Sequence, residues 1–127
     1  AIDAKHDVHG HCRVFPRSGP TADSREAVAW AREAESRGPG EILLTSIDRD
    51  GTCPGFDDEL TAEVSQAVRI PVIASGGAGA AEHFVSAFTR GRADAALAAS
   101  VFHEGRQDIR GLKTYLADAG IPMRLEW

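Results

Sequence analysis

Apolar residues along this chain fall into two alternating patterns. Ile42-Leu43-Leu44-Thr45, Val72-Ile73-Ala74 and Ala95-Ala96-Leu97-Ala98 are short apolar runs, the pattern of parallel strands covered on both faces. Ala1-Ile2-Asp3-Ala4-Lys5 reads as the tail of a further strand, cut from something longer, that delivers an acidic residue at its carboxyl end. Between the runs the apolar spacing becomes helical. Residues 24–37 are alanine-rich around Val28 and Trp30, with Glu26 in the first turn and Gly38 past the end. Residues 57–69 place Leu60, Val64, Ala67 and Val68 at helical spacing, and residues 80–90 do the same with Phe84, Val85, Ala87 and Phe88 before Gly91. Asp108 is expected to cap a last helix whose Ile109, Leu112 and Leu116 share a face and which Gly120 and Pro122 end. From His6 to Pro20 no period holds, and a long loop with room for a short hairpin is expected.

The order is strand then helix, four times. Strands joined through amphipathic helices pair in parallel by right-handed crossovers, so the expected fold is α/β, one domain over residues 1–127 built of four βα units. Ligands of such folds gather where the strands end, and the loops just after each strand are therefore the places to look for chemistry.

Ile73-Ala74-Ser75-Gly76-Gly77-Ala78-Gly79 is a strand running into a glycine-rich turn that opens a helix. Glycines let backbone N–H groups approach an anion, and the helix start adds partial positive charge. A glycine turn that binds nothing is the competing reading. Ala98-Ala99-Ser100-Val101-Phe102 ends the next strand in small residues before a short helical turn. Two adjacent loops of this kind, with a short extra helix, recur as the phosphate site of eight-stranded barrels. Asp3 at one strand end is a candidate general acid or base; Asp48, Arg49 and Asp50 beside Gly51 read first as turn residues. His9, His11 and Cys12 have the residue types of a zinc site, since alternate residues such as His9 and His11 would share one face of a strand, but not the full ligand set, and no metal is expected. His83 reads as a helix-surface or helix-packing histidine, His103 as a loop histidine, Trp30 as packing, and Lys5 as a solvated charge whose closeness to Asp3 leaves a site role open.

Composition narrows the classes further. The 127 residues carry 14 basic and 19 acidic side chains, a net charge of −5, without basic runs. Nucleic acid and anionic membranes are not the expected partners. No apolar run approaches the roughly 20 residues that span a bilayer, the start has no targeting pattern, and a cytoplasmic location with Cys12 and Cys53 as reduced thiols is expected.

The segments 1–5, 40–51, 71–79 and 93–103, which include Ile42-Leu43-Leu44-Thr45-Ser46-Ile47-Asp48-Arg49-Asp50-Gly51 and Ala74-Ser75-Gly76-Gly77-Ala78-Gly79, resemble in order the cyclase subunit of imidazole glycerol phosphate synthase, a histidine-biosynthesis family. The resemblance covers the chain apart from the loop at residues 6–25 and the Cys53-Pro54 turn. It implies a (β/α)8 barrel of two similar halves, of which this chain matches the second. Such a barrel typically needs about 250 residues.

The resemblance further implies a reaction in which ammonia from a glutaminase partner attacks a phosphoribulosyl-formimino aminoimidazole carboxamide ribonucleotide. The products are imidazole glycerol phosphate and an aminoimidazole carboxamide ribonucleotide, with no cofactor. On this basis Asp3 matches one of two catalytic aspartates. Gly51, Gly76, Gly77, Ala99 and Ser100, with Asp50 beside them, match the site of one substrate phosphate. Thr45 and Ser75 line the site, and Glu41 matches a charged ring at the barrel bottom through which ammonia enters. The other aspartate and phosphate site belong to the other half. Two functions follow. One is a cyclase half completed by a second copy of itself, as a homodimer or higher oligomer, or by a separate N-terminal half-barrel. The other is a non-catalytic half-barrel that binds phosphate or a phosphorylated small molecule in a flavodoxin-like arrangement.

Overall fold

A computed structural model describes residues 1–16 and 23–126. The strands are β1 (Ile2–His6), β2 (Cys12–Val14), β3 (Ile42–Ser46), β4 (Val72–Ser75) and β5 (Ala95–Leu97). The helices are α1 (Ala27–Ser36), α2 (Asp58–Ala67), α3 (Ala81–Thr89), α4 (Ser100–His103) and α5 (Ile109–Asp118). The sheet order is β2-β1-β3-β4-β5; β1, β3, β4 and β5 pair in parallel and β2 lies antiparallel on β1.

The parallel strands add in one direction only. Right-handed crossovers then lay every helix on the same face, as in one segment of a barrel, whereas a flavodoxin-like sandwich needs the order to reverse. Burial follows this rule. Ile2 and Ala4 of β1, Ile42 and Leu44 of β3, and Val72 and Ala74 of β4 are buried on the helix side. They meet Ala27 and Ala31 of α1, Leu60 and Val64 of α2, Phe84 and Ala87 of α3, and Leu112 and Leu116 of α5, in two adjoining clusters. The alternate residues Asp3, Leu43, Thr45, Ile73 and Ser75 belong to neither cluster and are only half-buried. The chain is therefore half of a (β/α)8 wall, four parallel strands with helices outside and a bare inner face, and the flavodoxin-like arrangement is not adopted.

The short hairpin that the sequence leaves room for is present and supplies β2, which pairs Val14 with Ala4 and Cys12 with His6. One edge of β1 is thus occupied at its carboxyl end rather than left free. Two other local features differ from the sequence reading. Glu26 is the extended residue before α1 instead of a first-turn residue, because its backbone is bridged to Arg13. His9 and His11 lie in the turn before β2, so no strand alternation brings the two rings to one face. The remainder of the loop expected there, residues 17–22, lies outside the described residues.

Helix starts explain how the strand ends are held. The Asp57 carboxylate is nearly buried, accepts from the Leu60 N–H at 3.1 Å as the cap of α2, and accepts from the Ser46 hydroxyl at 3.0 Å. The same aspartate lies 3.8 Å from His6 Nδ1, and Asp48 accepts from the His6 backbone N–H at 2.7 Å. The carboxyl ends of β1 and β3 and the start of α2 are thereby tied at one point. At the other end of the sheet, the Asp108 cap of α5 accepts from the Gly111 N–H.

Leu44 is 2% exposed at the centre of the helix-side core, whereas Val8 is 95% exposed in the hairpin turn. Leu44→Ala is expected to cost about 3 kcal/mol of unfolding free energy, and Val8→Ala no more than about 0.5 kcal/mol. Urea denaturation of the two variants checks this.

Candidate functional site

On the bare face the register arranges side chains in layers. Leu43, Ile73 and Ala95 are aligned as neighbours on successive strands. One layer toward the carboxyl ends, Asp3 is paired with Thr45, Thr45 with Ser75 and Ser75 with Leu97. An apolar layer below and a polar layer above is what the interior and mouth of a barrel require, because the interior is a packed core and chemistry sits at the carboxyl end. Neighbouring strands lie about 4.8 Å apart, so the Asp3 and Ser75 backbones are about 10 Å from one another.

Beyond this row the loops after β3, β4 and β5 enclose a cleft of about 160 Å³. Asp50, Gly51, Ser75, Gly76, Gly77, Ala99 and Ser100 all line it. The cleft thus brings together seven of the sequence-predicted residues. Thr45 stands one strand away in the row, Asp3 two strands away beside a separate hollow with Phe15 and Trp30, and Glu41 is exposed at the opposite end of the sheet.

The glycine turn has this shape for two reasons. Gly76 and Gly77 both have positive φ, +94° and +98°, which only glycine adopts without strain. They are also in contact with the loop after β3: a Cβ on Gly77 would lie 2.2 Å from the Gly55 carbonyl oxygen, and one on Gly76 2.7 Å from that of Ser46. The Gly55 N–H in turn donates to the Gly77 carbonyl at 2.9 Å. Gly51 also has positive φ but has open space where a side chain would go. Among the described residues, none accepts a hydrogen bond from the Gly77 or Ala78 N–H. Ser100 and Val101 open α4, where a helix leaves its N–H groups without intrahelical partners. Unpaired donors at a small cleft suit an anion. Asp50 is the opposing charge at its rim.

Several features were missed by the sequence reading. Cys53 lines the cleft with positive φ, +63°, and Arg106 Nη1 stands 3.4 Å from its sulfur, which brings a guanidinium near the rim. No local pattern marks Arg106, since it arrives from the turn after α4. His83 does more than pack on a helix: its Nδ1 accepts from the backbone N–H groups of Gly79 and Ala80. Trp30 does pack against the core, with the Arg25 and Arg37 guanidinium groups over its ring. Burial pushes the Cys12 thiol up to about 12, helped by the charges of Asp57, Asp48, Glu63 and Asp7, which keeps it protonated and poorly suited to bind zinc. Among the described residues no cluster of three or more histidine, cysteine or acidic side chains could hold a metal ion.

The two glycine types separate experimentally. Gly51→Ala should cost about 1 kcal/mol, the left-handed backbone penalty alone, and Gly77→Ala more than about 3 kcal/mol because two backbones must part. Equal losses in urea titrations would show that the loop after β3 does not bear on the glycine turn.

Residues 1–108 match the family model described as histidine biosynthesis protein. The chain is 63% identical over 125 residues to the imidazole glycerol phosphate synthase subunit HisF of Acidobacterium capsulatum, covering 98% of this chain and 49% of the relative. It is 58% identical over 124 residues to HisF of Metallosphaera sedula, with 98% and 49% covered, and 56% identical over 125 residues to HisF of Geobacillus thermodenitrificans, with 98% and 50% covered. The chain spans about half the length of the curated relatives it matches. With a one-way parallel sheet, a glycine cleft at its carboxyl end and identity at this level, the chain belongs to the histidine biosynthesis protein family.

Proposed function

We propose that this chain is the C-terminal half of an imidazole glycerol phosphate synthase cyclase. It grips one phosphate of a bisphosphorylated substrate in the cleft and presents Asp3 to the reacting centre. The observation that carries the reading is the polar row Asp3, Thr45, Ser75 running along the strand ends toward the cleft. A substrate anchored by its phosphate near Gly51, Gly77 and Ser100 then extends across the barrel mouth toward the carboxylate.

Each part has a distinct task. The backbone N–H groups of Gly77 and Ala78 and those at the start of α4 bind phosphate oxygens without moving, so the anchoring costs little reorganisation. Thr45 and Ser75 offer hydroxyls between the anchor and Asp3. Asp3 relays protons as the ammonia nitrogen adds and the imidazole ring closes, a general acid–base role. Glu41 belongs to the opposite end of the barrel, where ammonia from a glutaminase subunit enters. No cofactor is required.

The bare inner face needs a cover, because Leu43, Ile73 and Leu97 would otherwise face water. A second copy of this chain or a separate N-terminal half-barrel supplies it. With a second copy, two Asp3 side chains and two phosphate clefts share one mouth.

Turnover of the bisphosphorylated substrate with free ammonium by the assembled protein, monitored for wild type and Asp3→Asn, tests the catalytic part. The expected outcome is a loss of at least about a hundredfold in Asp3→Asn; unchanged turnover would contradict it. Calorimetry with inorganic phosphate tests the anchor, and Ser100→Asp should abolish binding by adding a negative charge at the start of α4. Phosphate binding without any turnover in the assembled protein would leave a non-catalytic phosphate-binding half-barrel.

A further inference from the structure

The glycine turn after β4 leads into α3, whose N-cap residue is Ala80. Alanine has no side-chain acceptor, so this helix start lacks the usual cap. His83, the third residue of α3, takes over part of that work. Its Nδ1 accepts from the Gly79 N–H at 3.1 Å and from the Ala80 N–H at 3.2 Å. This is one arm of a capping box, in which glutamate or glutamine ordinarily reaches back to the N-cap N–H. Because both partners are backbone donors, Nδ1 must present its lone pair, and the ring proton must sit on Nε2.

The same ring bears on the loop after β3. A Cβ on Gly55 would lie 3.4 Å from His83 Cδ2, and the Gly55 N–H donates to Gly77 O. His83, Gly55, Gly77 and Gly79 thus form a closed circuit around the turn that lines the candidate phosphate cleft. We infer that His83 is a positioning residue that latches this turn in its anion-binding shape through an unprotonated Nδ1, and that protonating the ring releases it. The binding consequence rests on the phosphate reading above; the latch itself does not.

An imidazolium has no lone pair to offer. Protonation therefore orphans the Gly79 and Ala80 N–H groups and turns a ring N–H toward them, while placing a cation at a helix start, where the macrodipole disfavours it. The charged groups around His83 are Arg49, Asp57, Asp58 and Glu59 from the β3–α2 segment and Arg90 from α3, which line one hollow with it, and Glu82 beside it on α3. Carboxylates and guanidinium groups thus share the hollow with His83, and the change in the ring's own acceptor state is what distinguishes the two forms.

His83→Gln keeps an acceptor that does not titrate, and His83→Leu removes it. Inorganic phosphate affinity by calorimetry should be near wild type in His83→Gln and about tenfold weaker in His83→Leu at about pH 8. On acidification from about pH 8 to a pH at which ring NMR signals show His83 protonated, wild type should lose about tenfold relative to His83→Gln. The ratio cancels the titration of phosphate itself. Amide hydrogen exchange without phosphate provides the second readout. Protection of Gly79 and Ala80, corrected for intrinsic rates, should hold in His83→Gln at both pH values, fall with acid in wild type, and be absent in His83→Leu. Parallel pH curves for wild type and His83→Gln, in affinity or in protection, would overturn the latch, and this comparison stands even if His83→Leu fails to fold. Absence of phosphate binding in every variant, with the exchange pattern as expected, would instead remove the phosphate reading and leave the latch.

Discussion

Each parallel crossover in this sheet steps the same way, from β1 to β3 to β4 to β5, and a right-handed connection then has a single face on which to lay its helix. The other features follow from that constraint. The helix-side residues Ile2, Leu44, Val72 and Ala74 enter the core, and among the described residues the alternate ones belong to neither core cluster. Those alternate residues are graded, apolar at Leu43 and Ile73 and polar at Asp3, Thr45 and Ser75. A surface whose chemistry changes by layer along the strands is built as a barrel interior.

The same constraint brings the loops after β3, β4 and β5 side by side, because strands adjacent in the chain order are adjacent in space. The loop after β3 folds down on the glycine turn so closely that Gly76 and Gly77 have no room for a side chain. A cleft of about 160 Å³ results from that backbone-on-backbone contact, with few side chains to obstruct it. The shape of the candidate site thus comes from main chain held by packing. His83, which fastens the far end of the turn, belongs to the same mechanical unit.

Much of this was legible in the sequence, and the reasons for the rest are physical. The unbroken runs at residues 42–45 and 72–74 mark parallel strands because both their faces are meant to be covered. The same reading could not separate a covered face from one awaiting a cover, a distinction set by strand order. A short hairpin was allowed for in residues 6–20, but the bounds of β2 were not legible because Cys12-Arg13-Val14 is too short to show a period. Glu26 looked like a first-turn residue until its backbone was engaged by Arg13. In the cleft, glycines and small residues carried a visible signal, whereas Cys53 and Arg106 are brought there by folding alone. His83 was read as a helix-surface or packing histidine because its role depends on an alanine at the N-cap, where a missing acceptor makes a more distant one necessary.

The central claim is that this chain is one wall of a barrel whose phosphate cleft is already formed and whose inner face is completed by another half. A crystal structure of the protein grown with phosphate tests both parts together. The account predicts an anion against Gly51, Gly77 and Ser100, with Leu43, Ile73 and Leu97 covered by a second half-barrel around a shared mouth. An empty cleft, or an inner face covered by the chain's own helices, would contradict it.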